Sequence, residues 1–200
     1  MGAQGARAGA VYDHAEPSLI TLAAGLLAAT LARERAPAPS TVILRTPAVV
    51  AFSPHGGATR LVIAAIAHAH RSINVQAYSF TSTPIARALL QARRRGVRLR
   101  VVLDRESVRR HYRAVRLLER AGVPLWEDDR VRIAHSKVLI IDREAVVTGS
   151  FNFTFAAGSD NSENVLWIRN APALAAAYRR DFLWRLSLSR PLDSAARRTH

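Results

Sequence analysis

From Val49 onward the apolar and polar positions change period again and again, and each change predicts an element. Gly57 to His70 carries Leu61, Ile63, Ala64, Ile66 and Ala67 at helical spacing, so it reads as a helix with these residues turned to a core. Ser72 to Phe80, SINVQAYSF, reads as a strand. Thr83 and Pro84 then open a second helix, Thr as N-cap and Pro in the first turn, which runs to Arg95 and is stopped by Gly96. Val97 to Leu103 is a strand, Ser107 to Ala121 a basic helix closed by Gly122, and Val123 to Trp126 a short strand. Ile133 to Ile141 and Ala145 to Thr148 are two apolar strands joined by the tight polar link Asp142-Arg143-Glu144. Ser150 to Asn164 follows as a long polar loop, Val165 to Arg169 as a strand and Ala171 to Leu188 as a closing helix. Strands separated by helices predict an α/β fold, a mixed sheet flanked by helices on both faces.

The first 48 residues break this pattern. Ser18 to Ala32 is an almost unbroken apolar run, followed by Arg33-Glu34-Arg35 and the Pro/Ala-rich Ala36-Pro37-Ala38-Pro39. Fifteen residues suit the apolar region of a secretory signal better than a membrane span. Against a signal stand Asp13 and Glu16, which offset Arg7, and Pro39 after the best Ala-x-Ala site. Export or membrane tethering stays open beside a dispensable helix or a misassigned start, and with it an exported, periplasmic or membrane-tethered location beside a cytoplasmic one. The expected organisation is an N-terminal segment 1–48, a main folded domain 49–190 and a tail 191–200.

Composition narrows the chemistry. A chain of 200 residues, 49% hydrophobic and 22% charged, buries a real core as one domain. With no cysteine, disulfides, thiolate nucleophiles and Cys-type zinc sites are excluded. The formal net charge of +14 favours polyanionic partners, nucleic acid or an anionic membrane, unless it reflects a general preference for arginine. That preference is visible, for 28 of the 29 basic residues are arginine and Lys137 is the one lysine. A compact point charge at that position, in place of a planar fork, is a chemical choice.

Lys137 stands in His135-Ser136-Lys137, with Asp142 downstream and then Gly149-Ser150-Phe151-Asn152-Phe153. On one strand, positions i and i+2 share a face, so His135 and Lys137 are expected to project together. Asp142, at an odd offset from His135, is expected in the turn, bracing the hairpin. An imidazole beside a fixed ammonium makes a phosphate site: the ammonium neutralises phosphoryl oxygens while the imidazole attacks phosphorus or passes a proton. Ser150 and Asn152, again two apart, are candidate donors to the same oxygens, and Gly149 lets the backbone approach. Glu163 is a candidate carboxylate for the second ring nitrogen of His135. Taken by themselves, a His and a Lys on one strand are more often a solvated or salt-bridged pair than a catalytic one. His14, His68, His70, His111 and His200 read as surface or capping residues, and His55 as a loop residue. Arg93-Arg94-Arg95 ends a helix, where cations favour the dipole. Arg105, Arg109, Arg110, Arg113 and Arg116 read either as a phosphate track or as a solvated helical face. Of Phe151, Phe153 and Phe155, at least one is expected in the core and another is available to stack a base.

HSKVLIID together with GSFNFTFAAGSDNSEN resembles the HxKxxxxD motif and GSxNF companion of the phospholipase D superfamily, nearest to its bacterial single-motif endonucleases. The likeness extends to FSPHGGAT, VQAYSFTSTPIARAL, RRRGVRLRVVLD and AGVPLW, covering roughly residues 50 to 186. It implies a phospholipase D-like α-β-α sandwich with one motif per chain. It also implies a two-step reaction without metal or other cofactor: one histidine attacks phosphorus, and a second protonates the leaving alkoxide and then activates water. That scheme needs two HxK sets, and with a single lysine and no internal repeat the chain holds one. A symmetric homodimer with two His135 residues at a shared site would supply both. The leading expectation is a broadly tolerant nuclease on DNA or RNA. A phospholipase acting on phosphatidyl head groups or cardiolipin-like lipid is the alternative, and a non-catalytic nucleic-acid-binding module the weakest.

Overall fold

The computed structural model describes residues 36–192. The apolar run 18–32, and with it the reading of a signal or anchor, lies outside the described residues, as does most of the 191–200 tail. In chain order the elements are β1 (Ala48–Ser53), α1 (Ala58–Ala67), β2 (Ser72–Ala77), α2 (Thr83–Arg94), β3 (Arg98–Asp104), α3 (Arg105–Arg109), α4 (Arg113–Arg120), β4 (Leu125–Asp128), β5 (Lys137–Ile141), β6 (Ala145–Gly149), α5 (Phe155–Ser159), β7 (Glu163–Ile168), α6 (Pro172–Leu188) and β8 (Arg190–Pro191). The strands form one mixed sheet in the order β1-β7-β6-β5-β2-β3-β4-β8. β2, β3 and β4 run parallel, while β5 is antiparallel to β2 and starts the antiparallel half. This is the α/β sandwich the alternation predicts.

The two faces of the sheet bury different side chains. On one, Ile73, Val75, Leu99, Val101, Leu139, Ile141, Val147 and Val165 pack with residues of α1, α2 and α4. On the other, Val102, Val138, Ile140 and Val146 pack against Ala175 and Phe182 of α6. Central strands covered on both faces need continuous apolar runs, and all five residues of β5 are buried.

Several elements differ from the sequence reading. α1 starts at Ala58 and buries Ala58, Val62, Ala65 and Ile66; of the other expected contacts, Leu61 and Ile63 are partly buried against the core, while Ala64 and Ala67 are exposed. The buried set follows i, i+4, i+7, i+8, a truer helical stripe than the expected one. The N-cap of α2 is Ser82, whose hydroxyl accepts from the Ile85 N–H, one residue ahead of Thr83. The single basic helix is two, α3 and α4, because His111 adopts a left-handed backbone (φ 48°) between them. The polar loop contains α5, capped by the Thr154 hydroxyl. β1 and β8 have no counterpart in the apolar pattern.

Candidate active site

β5 begins at Lys137, so His135 lies just ahead of the strand and not on it. The cause is Asp104, at the end of β3. One of its oxygens caps α3 by accepting from the Glu106 N–H at 2.8 Å, and the other accepts from the Ala134 N–H at 2.8 Å. This pulls residue 134 off the β2 ladder, and only the Tyr78 N–H to Ser136 carbonyl bond, 2.9 Å, continues the pairing. His135 is thereby left exposed while Lys137 is buried. Ser107 secures the facing loop: its hydroxyl donates to the Tyr78 carbonyl and accepts from the Phe80 N–H.

Tyr78 organises the pair. Its ring lies 4.7 Å from the His135 ring, tilted by 55°, and the Lys137 ammonium sits 5.2 Å from its centroid. The Lys137 Nζ also donates to the His135 carbonyl at 2.7 Å, which ties the ammonium to the histidine's own backbone. Burial pushes the Lys137 amine below its ordinary range, and the negative charge of Glu163 partly restores it. Glu163 is thus electrostatically coupled to Lys137. Its carboxylate accepts from Asn161 at 3.2 Å, and no hydrogen bond joins it to His135 among the described residues, contrary to the expected bracing of the ring.

Gly149 ends β6 with φ 155°, and a Cβ there would meet the Asn164 carbonyl oxygen at 2.3 Å. Only glycine lets the two strands close at this point. The close approach lets the Ser150 hydroxyl accept from the Asn164 N–H at 3.0 Å. Beyond it, Phe151 and Phe153 are fully buried, with Phe153 edge-to-face on Phe80 at 6.1 Å, while Phe155 is 74% exposed. The Phe153 carbonyl also accepts from the Thr81 and Ser82 N–H groups, joining the loop to the end of β2. Between the two anchors, Asn152 presents a buried Oδ1 with no partner among the described residues. So does the Ser53 hydroxyl, opposite Glu163 in the β1–β7 register. Orphaned polar groups of this kind favour a polar ligand.

Asp142 sits in the β5–β6 turn, at the far end of β5. Its carboxylate accepts from the backbone N–H groups of His70, Arg71 and Ser72 at 2.7–2.8 Å. Burial alone would raise this carboxyl, but these three bonds and the charge of Arg71 hold it below the usual range. Among the described residues no group of three or more His, Cys, Asp or Glu side chains is placed to hold a metal ion. None of their helices is long and apolar enough to cross a membrane.

A family model described as cardiolipin synthase, PLD-like domain, matches residues 62–186, which include His135, Lys137, Asp142, Gly149, Asn152 and Glu163. The chain belongs to the phospholipase D superfamily. It is accordingly a phosphodiesterase. A protein named phospholipase D from Rickettsia felis is 40% identical over 141 residues, 70% of each chain. The mitochondrial cardiolipin hydrolase of Homo sapiens is 34% identical over 114 residues, 56% of this chain and 45% of that one. Nuc of Salmonella typhimurium, a solved phospholipase D family member, has 39% identity and a TM-score of 0.70, covering 74% of this chain and 99% of that one.

In this phospholipase D-type chain, His135, Lys137 and Tyr78 lie together, and Glu163 acts on Lys137. Asp142 is remote from them. Two organising residues escaped the sequence reading. Asp104 carried a signal, an aspartate between a strand and a helix, which is the composition of an N-cap. Tyr78 carried none, since its position depends on the pairing of β2 with β5.

Proposed function

We propose that the chain is a nuclease hydrolysing DNA or RNA phosphodiesters as a homodimer, with His135 as nucleophile. The reading rests on one observation above all: an exposed imidazole beside a buried, ring-clamped ammonium. An imidazole nitrogen of His135 attacks phosphorus, and the bond to the leaving alkoxide breaks. The His135 imidazolium of the second copy gives that alkoxide its proton. Water then attacks the phosphohistidine, the second imidazole takes its proton, and the P–N bond breaks to release the first ring. Lys137 neutralises the phosphoryl oxygens, with Ser150 and Asn152 as further donors, so the scheme requires no metal. Glu163 supports the charge on Lys137. A dimer has apolar surface available, since Ile133, Phe52 and Phe155 are exposed. The net charge of +14 supports a polyanionic substrate.

A second reading, a phospholipase, is favoured by the names of the relatives from Rickettsia felis and Homo sapiens. The test is cleavage of single- and double-stranded DNA in excess chelator by wild type and His135→Ala, with circular dichroism to confirm folding. Chelator-resistant cutting that the variant loses is the expected result. A folded dimer that leaves DNA intact but hydrolyses phospholipid vesicles overturns the nuclease reading and keeps the residue roles.

A further inference from the structure

A wide cleft lies away from His135. It occupies about 710 Å³ at the opposite end of the strands, and five of its lining residues are arginines: Arg93, Arg98, Arg100, Arg143 and Arg179. They come from the end of α2, the start of β3, the β5–β6 turn and α6. The cleft exists because β4 joins β3 only from Val101 onward, so the first residues of β3 lack a neighbour on that side. Among the described residues, no aspartate or glutamate lines it.

Arg100 is set in place. Its Nε donates to Asn74 Oδ1 at 3.0 Å, and its guanidinium lies over the Phe182 ring at 5.2 Å. Burial and then the charges of Arg179, Arg143 and Arg98 lower its affinity for its proton, so the cluster repels itself. Among the described residues, Arg98, Arg143 and Arg179 have no hydrogen-bond or ion-pair partner for their side chains. Other arginines contrast with these. Arg95 is spent on three carbonyls at the end of α1, Arg105 on the Arg132 carbonyl, Arg110 on Glu106 and Arg190 on Glu127. Four guanidiniums with no counter-charge among the described residues focus a positive potential in a concave site, the setting in which an anion binds most strongly. Guanidinium forks match phosphate oxygens bidentately. None of the exposed large apolar side chains, Ile43, Leu44, Phe52, Ile133 and Phe155 among them, lines the cleft, so it lacks the apolar rim of a membrane-docking surface.

The spacing fits an extended polyanion. Ser72 lines the cleft and Ala77 pairs with Lys137, five strand steps apart, or about 17 Å. That is about five base-pair rises of a duplex. Arg98 and Arg100 share one face of β3, about 6.6 Å apart, close to two such rises.

We propose that this cleft is a second anion site that holds the sugar–phosphate backbone of a nucleic acid at a distance from the phosphodiester being cut at His135. The proposal rests on the nuclease reading. It assigns Arg98, Arg143 and Arg179 to substrate binding and gives them no part in bond breaking.

The test is the triple variant Arg98→Gln, Arg143→Gln, Arg179→Gln in the full chain, which leaves Arg100 with Asn74. Three measurements are made: hydrolysis of bis(p-nitrophenyl) phosphate, binding of a fluorescent 30-base-pair duplex over a salt series in a His135→Ala background, and urea unfolding. The expected variant is folded, hydrolyses the small ester at the wild-type rate, and binds the duplex at least about tenfold more weakly, with a salt slope shallower by about 2.7 for three lost phosphate contacts. Wild-type duplex affinity and salt slope in the variant overturn the cleft assignment, and wild-type DNA cutting then leaves the nuclease reading intact. If wild type hydrolyses the small ester but neither binds nor cuts DNA, the nuclease reading fails. Binding of phosphatidylglycerol vesicles by wild type and not by the triple variant would then make the cleft a lipid head-group site, which also overturns the proposal.

Discussion

Replacing Asp142 by alanine strips acceptors from three backbone N–H groups at once, those of His70, Arg71 and Ser72. A hydrogen bond to a charged group contributes about 1.5–3 kcal/mol net. Because His70 and Arg71 are exposed, water partly replaces the lost acceptor, and the lower end applies. The expected cost is about 4 kcal/mol, a large share of the roughly 5–15 kcal/mol that holds a domain together. Asp142→Asn keeps the shape and one acceptor oxygen, and is expected to lose about half as much. The pH dependence carries a sign. A carboxyl held below its ordinary range stabilises the fold fully above about pH 4, and this contribution is lost as pH falls through the lower folded value. Urea midpoints of wild type and Asp142→Asn should therefore differ at pH 7 and converge on acidification. Since Asp142 lies about 17 Å along β5 from Lys137, the folded Asn variant should keep close to wild-type kcat. Equal midpoints at pH 7, a gap that ignores acid, or a kcat that collapses without loss of stability would refute the bracing role.

Two further outcomes follow from the site. Gly149→Ala places a methyl group against the Asn164 carbonyl and is expected to cost about 2–4 kcal/mol and to lower kcat, read by thermal melting and ester hydrolysis. Tyr78→Leu removes the ring shared by His135 and Lys137; removing a cation–π contact of about 1–2 kcal/mol is expected to cut kcat about tenfold, whereas Tyr78→Phe should retain most activity.

The sandwich was legible because apolar positions recur along its central strands, continuously from Val138 in β5 and over Ala145 to Val147 in β6, and at every second residue (Ile73, Val75, Ala77) in β2. β1 was not, since only Ser53 of its six residues is buried, so it carries no inward stripe to read. The break at His111 left no mark because a left-handed turn at a histidine is a tertiary choice, and its ring meets Glu119 eight residues on. At the site, the residue types and spacing of HSK and GSFNF were local information and could be read. The exit of His135 from the strand was decided by Asp104, about thirty residues earlier in the chain. The arginine cleft is assembled from four separate elements, so no window of sequence contained it, while the more obvious run of arginines around α3 and α4 is partly spent on its own backbone and on Glu106.

The solitary lysine has a practical side. Apart from the chain terminus, amine-directed chemistry has one target in this sequence, and that amine sits under Tyr78 against the carbonyl of His135. Reductive methylation with isotopically labelled formaldehyde would plant a single side-chain reporter in the candidate active site. Its resonance would follow the protonation and surroundings of Lys137 without any engineered label. A chain that has otherwise given up lysine has left its active site individually visible to a spectroscopist.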